Sequence, residues 1–339
     1  MEFETPSTGE WQRLYQAAIA LKEEEPWEWL YEDEIFGVEN PETGQIGYVS
    51  IMGSAGEHLA LAIYLGSEGL DGFWRMQQGE AMANPAIVYE IPQLQASFED
   101  RNILDASDRA TIKELGLKFR GRQAWPMFRS YQPGCAPWFL TAAEARFLAL
   151  TIEQALDVAR RVCDDTDLLE PEAEDEYLVR VQTEEGWADE WLVPSPPALR
   201  PTPAIDAGRL AALEGAFARQ TFALEVDLFA MPSYVKEKDD TRPYVAYNLM
   251  LVEASSGMIV GTEVMIAKPD FSAMEAQAQA GFLDTLERLR ATPGLVAVRD
   301  ERLYHLLAPA ASALGFQLLV SPRLPALDEA RDALERTFL

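Results

Sequence analysis

From Phe222 to Phe338 the chain runs through a fixed succession: three strand-like segments, then helix, strand, helix, strand, helix. Few sheets can be closed with that order. Strands joined by tight turns pair antiparallel, whereas strands separated by a helix return in parallel through a right-handed crossover. The first segment, Phe222–Ala230, carries Val, Leu and Phe with Glu225 and Asp227 at alternate positions. A charged loop from Met231 to Pro243 follows, holding Lys236-Glu237-Lys238-Asp239-Asp240. Tyr244–Glu253 and Met258–Ile266 are then expected as strands, hinged at Ser255-Ser256-Gly257. Phe271–Arg290 has the length of a long helix, Leu295–Arg299 reads as a fourth strand, and Leu303–Leu314 as a helix ended by Gly315. Phe316–Val320 and Ala326–Phe338 complete the pattern as strand and helix.

The residues before this region have a different grammar. Trp11, Leu14, Tyr15, Ala18 and Leu21 recur at helical spacing until Pro26. The cluster Trp27, Trp29 and Tyr31 reads as core beside the helix end. Ile35–Ile51 is a hairpin around Asn40-Pro41-Glu42-Thr43-Gly44, with Gly44 suited to a positive φ. Gly53 and Gly56 form a turn before a strand at Leu59–Leu65; their spacing matches no phosphate-binding loop. Leu70–Gly79 is expected as a short helix, Ala86–Phe98 as a strand, and Ser107–Leu115 as a helix capped by Ser107. Thr141 with Glu144 forms a capping box for a helix over Ala142–Cys163. An acidic stretch follows, then a small hairpin at Tyr177–Gln182 and Trp187–Val193, then the proline-rich run Pro194–Pro203. Ile205–Arg219 reads as a helix leading into the C-terminal unit. This divides the chain into an α+β domain at 1–165, an acidic and proline-rich linker with a hairpin at 166–204, and an α/β domain at 205–339.

Charge is unevenly spread. Residues 1–204 hold 37 acids against 15 Lys/Arg, and residues 205–339 hold 19 against 13. The first part therefore repels a phosphate backbone, and nucleic acid remains conceivable only for the C-terminal domain. One basic, aromatic stretch interrupts the acidic part, Lys118 to Tyr131, with Arg120, Arg122, Arg129, Trp125 and Tyr131. It reads either as an anion contact or as an edge strand whose arginines pair with nearby acids, and the surplus of carboxylates favours the second. Cys135 and Cys163 have no metal-ligand spacing and are expected as reduced thiols. The acidic start and the absence of a long apolar run point to a cytoplasmic protein without a membrane span. Only His58 and His305 are present, and His305 reads as a partly buried structural residue.

With Asp227 on the first strand, "LVEASSGMIVG" across the second hairpin, "GLVAVRDERLYHLLAPAASALGFQLLVSP" and an acidic last helix, the C-terminal third resembles the integrase and transposase branch of the ribonuclease-H-like fold. The resemblance implies three acids: one on the first strand, one at the end of the fourth, and one near the start of the last helix. Asp227 and Asp300 stand at the first two places. Glu329 stands at the third, with Asp328 and Asp332 as substitutes. "PWEWLYEDEIFGVENPETGQIGYVSIMG" and "FRSYQPGCAPWFL" look like uncharacterised bacterial domain families of unknown function, which implies no activity.

Two functions follow. In one, the C-terminal fold has lost its chemistry and serves as an interaction or regulatory module, with no cofactor and with a protein partner, a basic one for the acidic N-terminal domain. In the other, Asp227, Asp300 and Glu329 hold Mg²⁺ or Mn²⁺ and cleave phosphodiesters. The two differ in one arrangement: the nuclease needs its acids clustered in a cleft, and is incompatible with Asp227 and Asp300 on opposite faces or salt-bridged to Arg299 or Arg302.

Overall fold

The computed structural model describes residues 4–80, 84–171, 173, 175–218, 220–238 and 242–338. The chain is mixed α+β and divides into two compact units, each with its own sheet. The first comprises Met1–Pro133 and Pro137–Ala198; the second comprises Gly134–Ala136 and Leu199–Leu339.

In the first unit, helix α1 (Thr8–Glu24) precedes strands β1 (Phe36–Glu39), β2 (Ile46–Met52) and β3 (Ala60–Leu65). Helix α2 (Gly66–Gln77), strand β4 (Gln93–Glu99), helix α3 (Ala106–Glu114) and strand β5 (Trp125–Tyr131) follow. Helix α4 (Ala142–Asp164) and strands β6 (Tyr177–Thr183) and β7 (Gly186–Leu192) complete the unit. The sheet order is β5-β4-β3-β2-β1-β6-β7. One face is covered by α1 and α4, whose Leu14, Leu21, Leu148 and Ile152 are fully buried with Val49, Leu61 and Ile63 of the sheet. The other face packs Tyr48, Ala62 and Tyr64 against Leu70, Phe73, Ile87 and Ile91. Both faces are apolar, so the central strands read as continuous hydrophobic runs.

Several expectations hold at the level of single residues. Gly44 has φ 73° in the hairpin turn. Thr141 and Glu144 form the capping box, with Glu144 accepting from the Thr141 backbone N–H at 2.7 Å. Others are corrected. Residues Pro85–Glu90 form a 3-10 helix in place of a strand, because the Asn84 side chain accepts from Ala86 N–H and caps the turn. That turn points both Ile87 and Ile91 inward. Helix α3 is capped by Asp105, reciprocally with Asp108, and Ser107 lies inside it. The hairpin β6–β7, expected within a linker, is the end of the sheet, because β6 pairs parallel with β1 through Gly37–Val179 and Val38–Arg180. Of the aromatic cluster, Trp27 is buried and Tyr31 is exposed.

The second unit opens with the short helix α5 (Ala207–Leu213), less than the 205–219 expected, where Arg219 lies outside the described residues. Strands β8 (Ala223–Val235), β9 (Tyr244–Glu253) and β10 (Ile259–Met265) are followed by helix α6 (Phe271–Leu289) and strand β11 (Leu295–Val298). Helix α7 (Glu301–Leu314), strand β12 (Gln317–Val320) and helix α8 (Pro325–Phe338) close the chain. Strand β8 runs on to Val235, so the loop expected from Met231 is shorter; its residues 239–241 lie outside the described residues. The order is β10-β9-β8-β11-β12, with β8, β9 and β10 antiparallel and β8, β11 and β12 parallel. Leu324, just before α8, and Leu327 of α8 pack on Met250 and Val252 of β9, covering one sheet face. His305 is exposed instead of partly buried, its ring meeting that of Tyr304 edge-on.

Candidate functional site

Side chains along β8 alternate between faces. Leu224 and Val226 are fully buried on one side, which places Glu225 and Asp227 together on the other, 8% and 2% exposed. A carboxylate buried this deeply needs an opposite charge or several hydrogen bonds to offset its desolvation. Each of the two finds a different solution.

Glu225 accepts the backbone N–H of Leu327 at 2.8 Å, in the first turn of α8. The first N–H groups of a helix have no partner inside it and carry its positive end, so the carboxylate both caps the helix and is stabilised by it. Asp227 meets a cation. Because β11 runs parallel to β8 with Val298 beside Val226, the residue that follows β11 is brought next to Asp227. That residue is Arg299. Its Nε donates to Asp227 Oδ2 at 2.5 Å, one terminal nitrogen donates to Asp328 Oδ1, and the other donates to the Pro322 carbonyl at 3.1 Å. The guanidinium thus ties the central strand to the start of the last helix. Burial pushes the Asp227 carboxyl above its ordinary range, opposed by the neighbouring guanidinium. The Arg299 value is raised in turn: its own burial works against the charge, but Asp227 and Asp328 outweigh it.

The other acids lie elsewhere. Asp300 is exposed and caps α7, accepting from Leu303 N–H at 2.7 Å. Glu329 and Asp332 are exposed on α8. Of the sequence candidates, then, Arg299 joins Asp227 to Asp328, and it does not gather Asp300, Glu329 or Asp332. Among the described residues no three His, Cys, Asp or Glu side chains are placed to hold a metal ion. Chemically the cluster offers a permanent cation between two carboxylates. A guanidinium does not give up its proton at physiological pH, so it orients charge and does not shuttle protons.

A second polar cluster, on α6 and α7, escaped the reading of the sequence. Glu275 is 2% exposed and accepts from Arg302 through Nε at 2.8 Å and through a terminal nitrogen, and from Arg200 at 3.3 Å. The signal was present: Glu275 falls on the buried stripe of a helix that also carries Phe271, Met274, Ala278 and Phe282.

In the first unit the basic stretch behaves as an edge strand. Arg129 on β5 bonds both oxygens of Asp108, at 3.0 and 2.8 Å, and Asp105 at 2.9 Å, while its guanidinium lies 4.9 Å from the Phe139 ring centroid. Arg120 and Arg122 are exposed. Beside this cluster lies a hollow of about 220 Å³ lined by Trp11, Tyr15, Asp108, Phe128 and Phe139. Cys135 and Cys163 form no disulfide with each other. No helix among the described residues is long and apolar enough to cross a membrane.

Comparison with known families places two matches along the chain. Residues 209–335 match a domain of unknown function, DUF6930. No curated protein matches the chain. Residues 11–180, from α1 into β6, match the domain of unknown function DUF7309, and the chain belongs to that family.

Proposed function

We propose that this protein is a non-catalytic interaction or regulatory module whose second unit is a ribonuclease-H-like domain that has exchanged its metal chemistry for an internal cation. The strand order β10-β9-β8-β11-β12, with a helix after each of β10, β11 and β12, supports the fold part of this reading. One observation carries the functional part: Arg299 bridges Asp227 and Asp328. Asp227 is the central-strand acid that a two-metal nuclease would need free, and Asp328 is a substitute for its last-helix acid, Glu329. A divalent ion entering there would have to displace a guanidinium already neutralising both carboxylates, and Asp300 would have to leave its helix cap. The acidic first unit, 37 acids against 15 Lys/Arg up to residue 204, suits a basic protein surface as partner and disfavours nucleic acid.

Mn²⁺ titration followed by thermal unfolding tests this reading, because any ion bound to the native state alone raises apparent stability by linkage. The native protein is expected to show no saturable rise, and the Asp227→Asn/Asp300→Asn variant none either. A saturable rise in the native protein that vanishes in the variant would reinstate Asp227, Asp300 and Glu329 as ligands of a metal-dependent nuclease.

A further inference from the structure

The proline-rich run ends on the second unit, and its last residues are held there by side chains from two helices. Arg302 of α7 donates to the carbonyls of Arg200 at 3.2 Å and Pro201 at 3.1 Å, and to Thr202 Oγ1 at 3.4 Å. Ser272 of α6 donates to the Pro201 carbonyl at 3.4 Å. Gln279, itself 2% exposed, donates to the Pro203 carbonyl at 3.1 Å and to Leu306 O at 2.9 Å. Arg200 reaches the buried Glu275 carboxylate while its guanidinium lies 4.2 Å from the centroid of the Phe271 ring.

This pattern has the logic of proline-segment recognition. Prolines fix φ near about −65° and donate no hydrogen bond, so an extended segment rich in proline presents carbonyl acceptors at little entropic cost. A matching receptor supplies side-chain donors for those carbonyls, an aromatic face, and a carboxylate for an adjacent arginine. The helices α6 and α7 supply each of these: Ser272, Gln279 and Arg302 as donors, Phe271 as the face, and Glu275 as the carboxylate. A plain linker needs none of them.

We propose that this surface is a recognition groove for a segment of the type Arg-Pro-X-Pro, held in the free protein by the chain's own Arg200-Pro201-Thr202-Pro203. Such a segment in a protein partner competes for the same donors and releases the resident one. The inference deepens the interaction-module reading and rests on it. Self-occupancy sets the affinity: a tethered segment acts as a competitor at an effective concentration on the order of millimolar, so partners bind the free protein weakly until the tether is withdrawn.

A fluorescein-labelled peptide with the sequence of residues 196–205, PPALRPTPAI, titrated against the full chain, tests this. Arg200→Ala/Pro201→Ala, which loosens the resident segment, is expected to bind the peptide at least tenfold more tightly than the native chain. A peptide with glutamate in place of its arginine is expected to bind at least tenfold more weakly. Equal binding by the variant and native chains, or by the two peptides, overturns the proposal. Should the variant not fold, the amide resonances of the native chain decide. Millimolar peptide is expected to move those of Arg200, Thr202, Ala204 and Ile205 to released-segment positions, and unmoved resonances overturn the groove. The metal titration is independent of these outcomes: failure here with no Mn²⁺ response removes the groove alone, whereas a saturable Mn²⁺ response removes the module reading itself.

Discussion

The two units bury charge in opposite ways. In the first, most ion pairs sit at the rim, such as Arg146 with Glu10 and Glu42, and the charges buried among the described residues are two arginines, Arg129 and Arg180, met by Asp108 and Asp189. In the second, three carboxylates enter the interior, Glu225, Asp227 and Glu275, and each is met by a helix N-terminus or a guanidinium. Rim pairs contribute little, since solvent screens both partners already. Interior pairs are poor sources of net stability, yet removing one partner strands the other. The second unit therefore carries charge that fixes geometry: β8 to α8 through Arg299, and α6 to α7 and the 199–203 segment through Glu275.

The contrast can be broken most severely at Arg299. Arg299→Met is expected to cost about 3 kcal/mol, the low end for orphaning a buried charge because Arg299 is itself partly exposed. Urea unfolding measures it; a loss below about 1 kcal/mol would mean that water already solvates Asp227. Glu275→Ala should come next, at about 2 kcal/mol, through loss of charge-assisted bonds to Arg302 and Arg200. The same change should render the 194–203 run more sensitive to protease, and an unaltered digestion pattern would show that the segment is held by something else. Thr141→Ala, in the apolar unit, removes a helix cap and should cost about 1 kcal/mol, restored in part by Thr141→Asp.

The smallest effect belongs to the rim and is read in pH. The Arg146 guanidinium, with the Ser7 hydroxyl and N–H, lowers the Glu10 carboxyl from an ordinary 4.5 to about 2. An acid whose folded value lies below its unfolded one contributes stability above the unfolded value and loses it as pH falls through the folded one. The contribution is therefore complete above about pH 4.5 and disappears toward pH 2. As pH falls through that window, the stability gap between native and Arg146→Met should narrow, by less than about 1 kcal/mol because exposed pairs are screened. A gap unchanged between pH 5 and pH 2 would sever Arg146 from Glu10.

What the sequence made legible follows the range of the interactions involved. The hairpin at β1–β2, the Thr141 cap and the succession from β8 to α8 are written in local pattern, and each appears where its residues are. Strand β6 could not be placed from its own residues, because its partner β1 lies far away in the chain and the pairing is parallel. The turn at Pro85–Glu90 carries β-forming residues, yet Asn84 and the packing of Ile87 and Ile91 prevail over propensity. At the candidate site the acids were visible but their surroundings were not. Asp227 lies on β8 and Asp300 caps α7, while the deciding residue, Arg299, gains its role only when β11 lies beside β8. Glu275 was legible as an acid on an apolar stripe, but its partner Arg200 precedes it by three strands.

On the proposed reading, Asp227 is neutralised by Arg299 and needs no bound ion. A double-mutant cycle of Asp227→Asn and Arg299→Met, measured by urea unfolding with and without Mn²⁺, tests it most directly. A coupling of about 2 kcal/mol that Mn²⁺ leaves unchanged is the predicted result. Coupling near zero, or native protein stabilised by Mn²⁺ through Asp227, would return the site to metal chemistry.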